Sequence, residues 1–73
     1  MMNKYNMHYD QNQEQWLVKL RGREYALHCG ESFELYIGQK PIPCRLELAD
    51  KWYVIMNDTS FDLRANSQYM INL

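Results

Sequence analysis

The chain has 73 residues, of which 47% are hydrophobic and 14% aromatic, and its formal net charge is -1. That composition describes one small globular domain over 1–73, and it excludes a disordered tail or a nucleic-acid binder driven by bulk positive charge. No apolar run approaches the roughly eighteen residues that span a bilayer. The opening MMNKYNMHYD contains no apolar leader segment, so the expected location is cytoplasmic, with no membrane partner.

The elements read as short strands. In Lys4 to Tyr9, Tyr5, Met7 and Tyr9 share one face. The polar run DQNQEQ is a loop, after which Trp16, Val18 and Leu20 again share a face. Arg21, Gly22 and Arg23 form a tight turn in which Gly22 supplies positive φ. A short strand, Glu24 to His28, ends before Gly30. Phe33, Leu35 and Ile37 alternate with Glu34 and Tyr36, and Gly38, Gln39 and Lys40 turn the chain again.

The most regular stretch follows. Ile42, Cys44, Leu46 and Leu48 face one way and Arg45 and Glu47 the other; Ala49, Asp50 and Lys51 make a turn. Trp52 to Met56 is apolar throughout, which predicts a central strand covered on both faces. Pro41 and Pro43 are tolerated at a strand start or edge, where no N–H is needed. Residues 57–68 are rich in turn formers. Asp58, Thr59 or Ser60 is expected to cap a short helical or 3₁₀ turn bearing Phe61 and Leu63. Tyr69 to Leu73 is the last strand. No helical period persists, so the fold class is all-β: five to seven short strands in a small SH3-like barrel or a strongly bent antiparallel sheet.

The block LHCGESFELYIGQKPIPCRLELADKWYVI, residues 27–55, resembles a bacterial family, domain of unknown function 5348. The likeness lies in the LHCG step, the F-E-L strand, the Gly/Lys turn, the run around Pro43 to Glu47 and the WYV strand. It implies a small β fold and an accessory role, often carried on mobile elements. It supplies no catalytic residues.

Chemistry-bearing constellations are sparse. His28 and Cys29 are strand neighbours and point to opposite faces, so a Cys–His catalytic pair is not expected. His8, His28, Cys29 and Cys44 lack the close spacing of a zinc site, so no metal or other cofactor is expected. The two cysteines are read as free thiols, although a disulfide between Cys29 and Cys44 is conceivable if their strands adjoin. Glu34 and Glu47 read as cross-strand charge partners on an exposed face rather than an acid–base pair. The chain is therefore not read as an enzyme.

Six Tyr, two Trp and two Phe are many for so thin a core. The leading expectation is a module that contacts another protein through an aromatic sheet face, with Tyr25, Tyr36, Arg45, Trp52 and Tyr53 as contact residues. By analogy with mobile-element accessories, it would occlude a host protein, for example as an inhibitor of bacterial defence. One alternative is a small barrel binding nucleic acid through a basic hairpin with Lys19, Arg21, Arg23 and Arg45. Another is a self-associating scaffold.

Overall fold

The computed structural model describes residues 4–73; Met1 to Asn3 of the expected domain lie outside it. The described residues form eight strands and no helix. They are β1 (Tyr5–Asp10), β2 (Gln15–Leu20), β3 (Arg23–Leu27), β4 (Ser32–Ile37), β5 (Lys40–Leu48), β6 (Trp52–Met56), β7 (Thr59–Asp62) and β8 (Tyr69–Asn72). All belong to one sheet in the order β3-β2-β1-β8-β4-β5-β6-β7, and every pairing is antiparallel.

Three hairpins close through two-residue loops. Leu20 pairs with Arg23 around Arg21 and Gly22, whose φ values are 52° and 80°. Positive φ at both central positions is the type I′ pattern, whose twist matches the flanking strands. Ile37 pairs with Lys40 around Gly38 and Gln39. Met56 pairs with Thr59 around Asn57 and Asp58, and Asn57 takes φ 54°.

The expected elements hold with three corrections. The strand count is eight, not five to seven. The added strand is β7, where a capped helical turn was expected: Asn57 reverses the chain directly, and residues 59–62 pair with β6. The sheet is not closed, so it takes the bent form rather than a barrel, and β3 and β7 remain as edges. Trp52–Met56 is not central. It lies one strand from an edge, with Val54 buried and its neighbours half-buried.

Curvature follows from chain length. Between β3 and β4 the sheet places β2, β1 and β8. Four strand-to-strand steps in a flat sheet cover about 19 Å, whereas the five residue steps from Leu27 to Ser32 reach at most roughly 17 Å. The link closes because the sheet curls; at its β4 end Gly30 donates its N–H to the Leu46 carbonyl at 2.7 Å, extending the β4–β5 ladder.

The hollow of that curl is the core. Met7, Val18, Leu46, Val54 and Ile71 are wholly buried there, with Trp16, Leu27, Phe33, Leu35, Cys44 and Leu63 around them. Each such aliphatic side chain contributes about 1.5–3 kcal/mol on burial. Leu17 is also buried, but on the opposite face, in register with His8 and Ala26.

The prolines follow the ladder. Leu46 exchanges backbone hydrogen bonds with the Gly30–Glu31 segment, so even-numbered residues of β5 face that side. Pro41 and Pro43 face the other, where β6 pairs only with Arg45 to Leu48. Their missing N–H groups fall where no partner strand runs.

Candidate functional site

The expected contact residues divide between the two sides of the sheet. Tyr36, Arg45 and Tyr53 lie on the outer face of β4, β5 and β6, together with Pro43, Ile55 and Glu47. The Lys4 ammonium sits over the Tyr36 ring, 4.9 Å from its centroid. The Arg45 Nε donates to Glu47 Oε2 at 2.6 Å, and the Cys29 thiol lies 3.5 Å from the other Glu47 oxygen. Tyr25 and Trp52 occupy the inner parity. Tyr25, in register with Val18, is 47% exposed, whereas Trp52 packs half-buried against the core.

The basic hairpin does not form one stripe. Leu20 pairs with Arg23 and Lys19 with Glu24, so Lys19 and Arg23 lie on opposite faces, with Arg21 in the turn between them. A two-residue loop inverts the parity expected from simple alternation. Glu24 also meets His8 Nε2 at 3.3 Å. Arg45 is four strands away from β2 and already paired. The four cations are not brought together.

Both cysteines are free: Cys29 is exposed at the Gly30 bend and Cys44 is buried in the core. Desolvation raises the Cys44 thiol to about 11, against a small lowering by a backbone hydrogen bond at Leu35. Among the described residues, no three His, Cys, Asp or Glu side chains converge as metal ligands would.

The concave surface gathers elsewhere, around Lys51. A groove of about 510 Å³ on the outer side of β6 and β7 is lined by Ala49, Asp50, Lys51, Tyr53, Ser60 and Asp62. A second, of about 730 Å³, runs past Lys51, Phe61, Leu63, Arg64 and Tyr69. A third, of about 290 Å³, enters the mouth of the core between Tyr9, Trp16, Trp52, Leu63 and Lys51. Three elements build this end: the β5–β6 turn, strand β7 and the crossover from Leu63 to Gln68.

The crossover is held by specific bonds. Leu63 inserts into the core and donates its N–H to the Trp52 carbonyl at 3.0 Å. The Arg64 N–H donates to the Tyr69 hydroxyl at 2.9 Å. Aromatic rings continue inward: Phe61 meets Tyr69 at 6.3 Å, Tyr69 meets Trp16 at 5.6 Å, and Trp16 meets Tyr9 at 5.4 Å. Such tilted and edge-on pairs add to the area they bury. Among the described residues, neither Lys51 nor Arg64 has an ion-pair partner.

Of the expected contact residues, Trp52 and Tyr53 belong to this end. Lys51, Ser60, Phe61, Asp62 and Arg64 were not anticipated there. The signal for them was present in Asn57–Asp58, a pair that accommodates the positive φ of a two-residue hairpin and makes the next residues an edge strand.

The model of the family described as a domain of unknown function (DUF5348) matches residues 5–73. The chain belongs to this family. A crystal structure of a protein from Ruminococcus gnavus, a Northeast Structural Genomics Consortium target, superposes on this DUF5348 domain with a TM-score of 0.78. That match covers 97% of this chain and 100% of the other at 20% identity, so the likeness is one of fold. No curated protein matches the DUF5348 chain. No helix of the described residues is long and apolar enough to cross a membrane.

Proposed function

We propose that this DUF5348 domain is a non-enzymatic module that binds another protein at the end built by the β5–β6 turn, β7 and the 63–68 crossover. One observation carries the reading: three grooves on two sides of the sheet share one cation, Lys51, which has no ion-pair partner among the described residues. Around it stand Trp52, Tyr53, Phe61 and Tyr69. Aromatic and cationic side chains of this kind dominate contact energetics when a partner excludes water from them. The outer patch with Tyr36 and Arg45 is the weaker surface, because Arg45 is held by Glu47 and Tyr36 by Lys4. A bacterial host protein, bound as a mobile-element accessory or anti-defence inhibitor would bind it, is the partner class that the family resemblance suggests.

The test is affinity capture from a bacterial lysate with the intact chain, Tyr36→Ser and the double variant Lys51→Glu, Tyr53→Ser as parallel baits. A protein held by the first two and lost by the third supports the site. A protein held equally by all three, with the baits equally folded, overturns it.

A further inference from the structure

We propose that β7 is the docking edge for an extended segment of the partner, which joins the sheet as a ninth strand and alternates apolar with basic side chains. This rests on the binding reading above and specifies its mode.

The backbone supplies the first argument. In an antiparallel ladder, the N–H and C=O of a strand residue point to the same side. Leu63 bonds to Trp52, so Thr59 and Phe61, of the same parity, face β6. Ser60 and Asp62 therefore direct two N–H and two C=O groups to the open edge. The next N–H of that parity, on Arg64, is taken by Tyr69, which ends the available run. The opposite edge, β3, carries Arg23 and Glu24, the charged side chains that discourage strand pairing. β7 carries only Asp62.

The grooves supply the second. An added strand places alternate side chains on opposite faces, so a docking edge needs a recess on each side. β7 has both. Phe61, Leu63 and Tyr69 line the inner recess with Arg64, Tyr53 and Asp50 line the outer one, and Lys51, Ser60 and Asp62 border both. Main-chain bonds would hold such a segment and the recesses would select it.

The lining sets the chemistry. The inner recess offers the Phe61, Leu63 and Tyr69 surface to apolar side chains, and its two cations, Lys51 and Arg64, against the single carboxylate Asp62 disfavour basic ones there. The outer one sets two carboxylates, Asp50 and Asp62, against the single cation Lys51, which favours Lys or Arg. A second copy of this chain would bring its own Ser60 and Asp62 to that acidic side, so charge disfavours it as the occupant.

The experiment selects random short peptides displayed in an extended frame on the intact chain, then synthesises the enriched sequence. The expected winner alternates apolar residues with Lys or Arg and slows hydrogen exchange at the Ser60 and Asp62 amides by about tenfold or more. N-methylation of its residues of one parity should abolish binding, while methylation of the other parity should leave it intact. Methyl groups are placed on the peptide because Ser60→Pro would disturb β7 itself. A winner without alternation, one that leaves those two amides unprotected, or no winner at all overturns strand addition. A winner that fails this way yet loses binding to Lys51→Glu leaves the binding reading standing. Concentration-dependent protection of Ser60 and Asp62 in the chain alone assigns the edge to a second copy and overturns the proposed partner.

Discussion

Gly30 and Leu46 are joined by a 2.7 Å hydrogen bond which, with the return bond from the Leu46 N–H to the Glu31 carbonyl, carries the β4–β5 ladder one step past the Ser32–Arg45 pair. Gly30 and Glu31 thus face a single residue of β5, a bulge that bends the chain where it enters β4. Gly30 holds it at φ 92°, and a Cβ there would meet nothing within 4 Å. The expected cost of Gly30→Ala is therefore conformational alone, about 1–2 kcal/mol. A lower urea midpoint with unchanged slope would register it. Gly22→Asn, at a turn position that Asn tolerates, should cost less.

Leu46 itself is wholly buried. Leu46→Ala should remove about 2–5 kcal/mol, a large share of the total stability of roughly 4–11 kcal/mol expected for a domain of this length. Thermal unfolding of this variant alongside Leu48→Ala, at an exposed position on the same strand, separates core from surface. Equal shifts would contradict the burial of Leu46 and the exposure of Leu48.

The fold class and most strand positions were legible because alternation reports a sheet with one buried face. Met7, Val18 and Leu46 lie on the buried face that their spacing indicates. Alternation fails where a loop resets parity: Lys19 and Arg23 would share a face only if Arg21 and Gly22 were counted as strand. It also says nothing of strand order. Nothing near Tyr69 announces that β8 runs between β1 and β4, because that placement arises from packing among distant residues. The Lys51 end stayed hidden for the same reason, being assembled from three separate segments.

Cys44 gives a pH signature. Its thiol is raised from 9.0 to about 11 by burial, so between those values the folded chain holds a proton that the unfolded chain has lost. Its contribution is intact below pH 9.0 and is lost progressively as pH rises through about 11. Cys44→Val, of similar volume, should flatten that part of the stability profile. At neutral to mildly alkaline pH a thiol reagent should label exposed Cys29 and spare Cys44 until the chain unfolds; simultaneous labelling would contradict the burial.

The Tyr69 hydroxyl accepts the Arg64 N–H. Tyr69→Phe keeps the ring against Trp16 and removes that acceptor, so a loss of about 0.5–1.5 kcal/mol is expected. Faster exchange of the Arg64 amide is the local readout. An unchanged exchange rate would show that the hydroxyl does not anchor the crossover.

With Lys19 and Arg23 on opposite faces and Arg45 paired, a labelled single-stranded oligonucleotide should show no steeply salt-dependent binding. Fluorescence anisotropy at low and high salt decides this. Tight binding that collapses with added salt would restore the nucleic-acid reading.

Among the described residues, the last strand in chain order, β8, is the only strand hydrogen-bonded to both the unit β1–β3 and the unit β4–β7. During synthesis both units can emerge, but they have no shared seam until Tyr69 to Asn72 arrive. Assembly of the domain therefore waits on its final segment, and a nascent chain stalled before Tyr69 would hold two unjoined halves, each with an open flank.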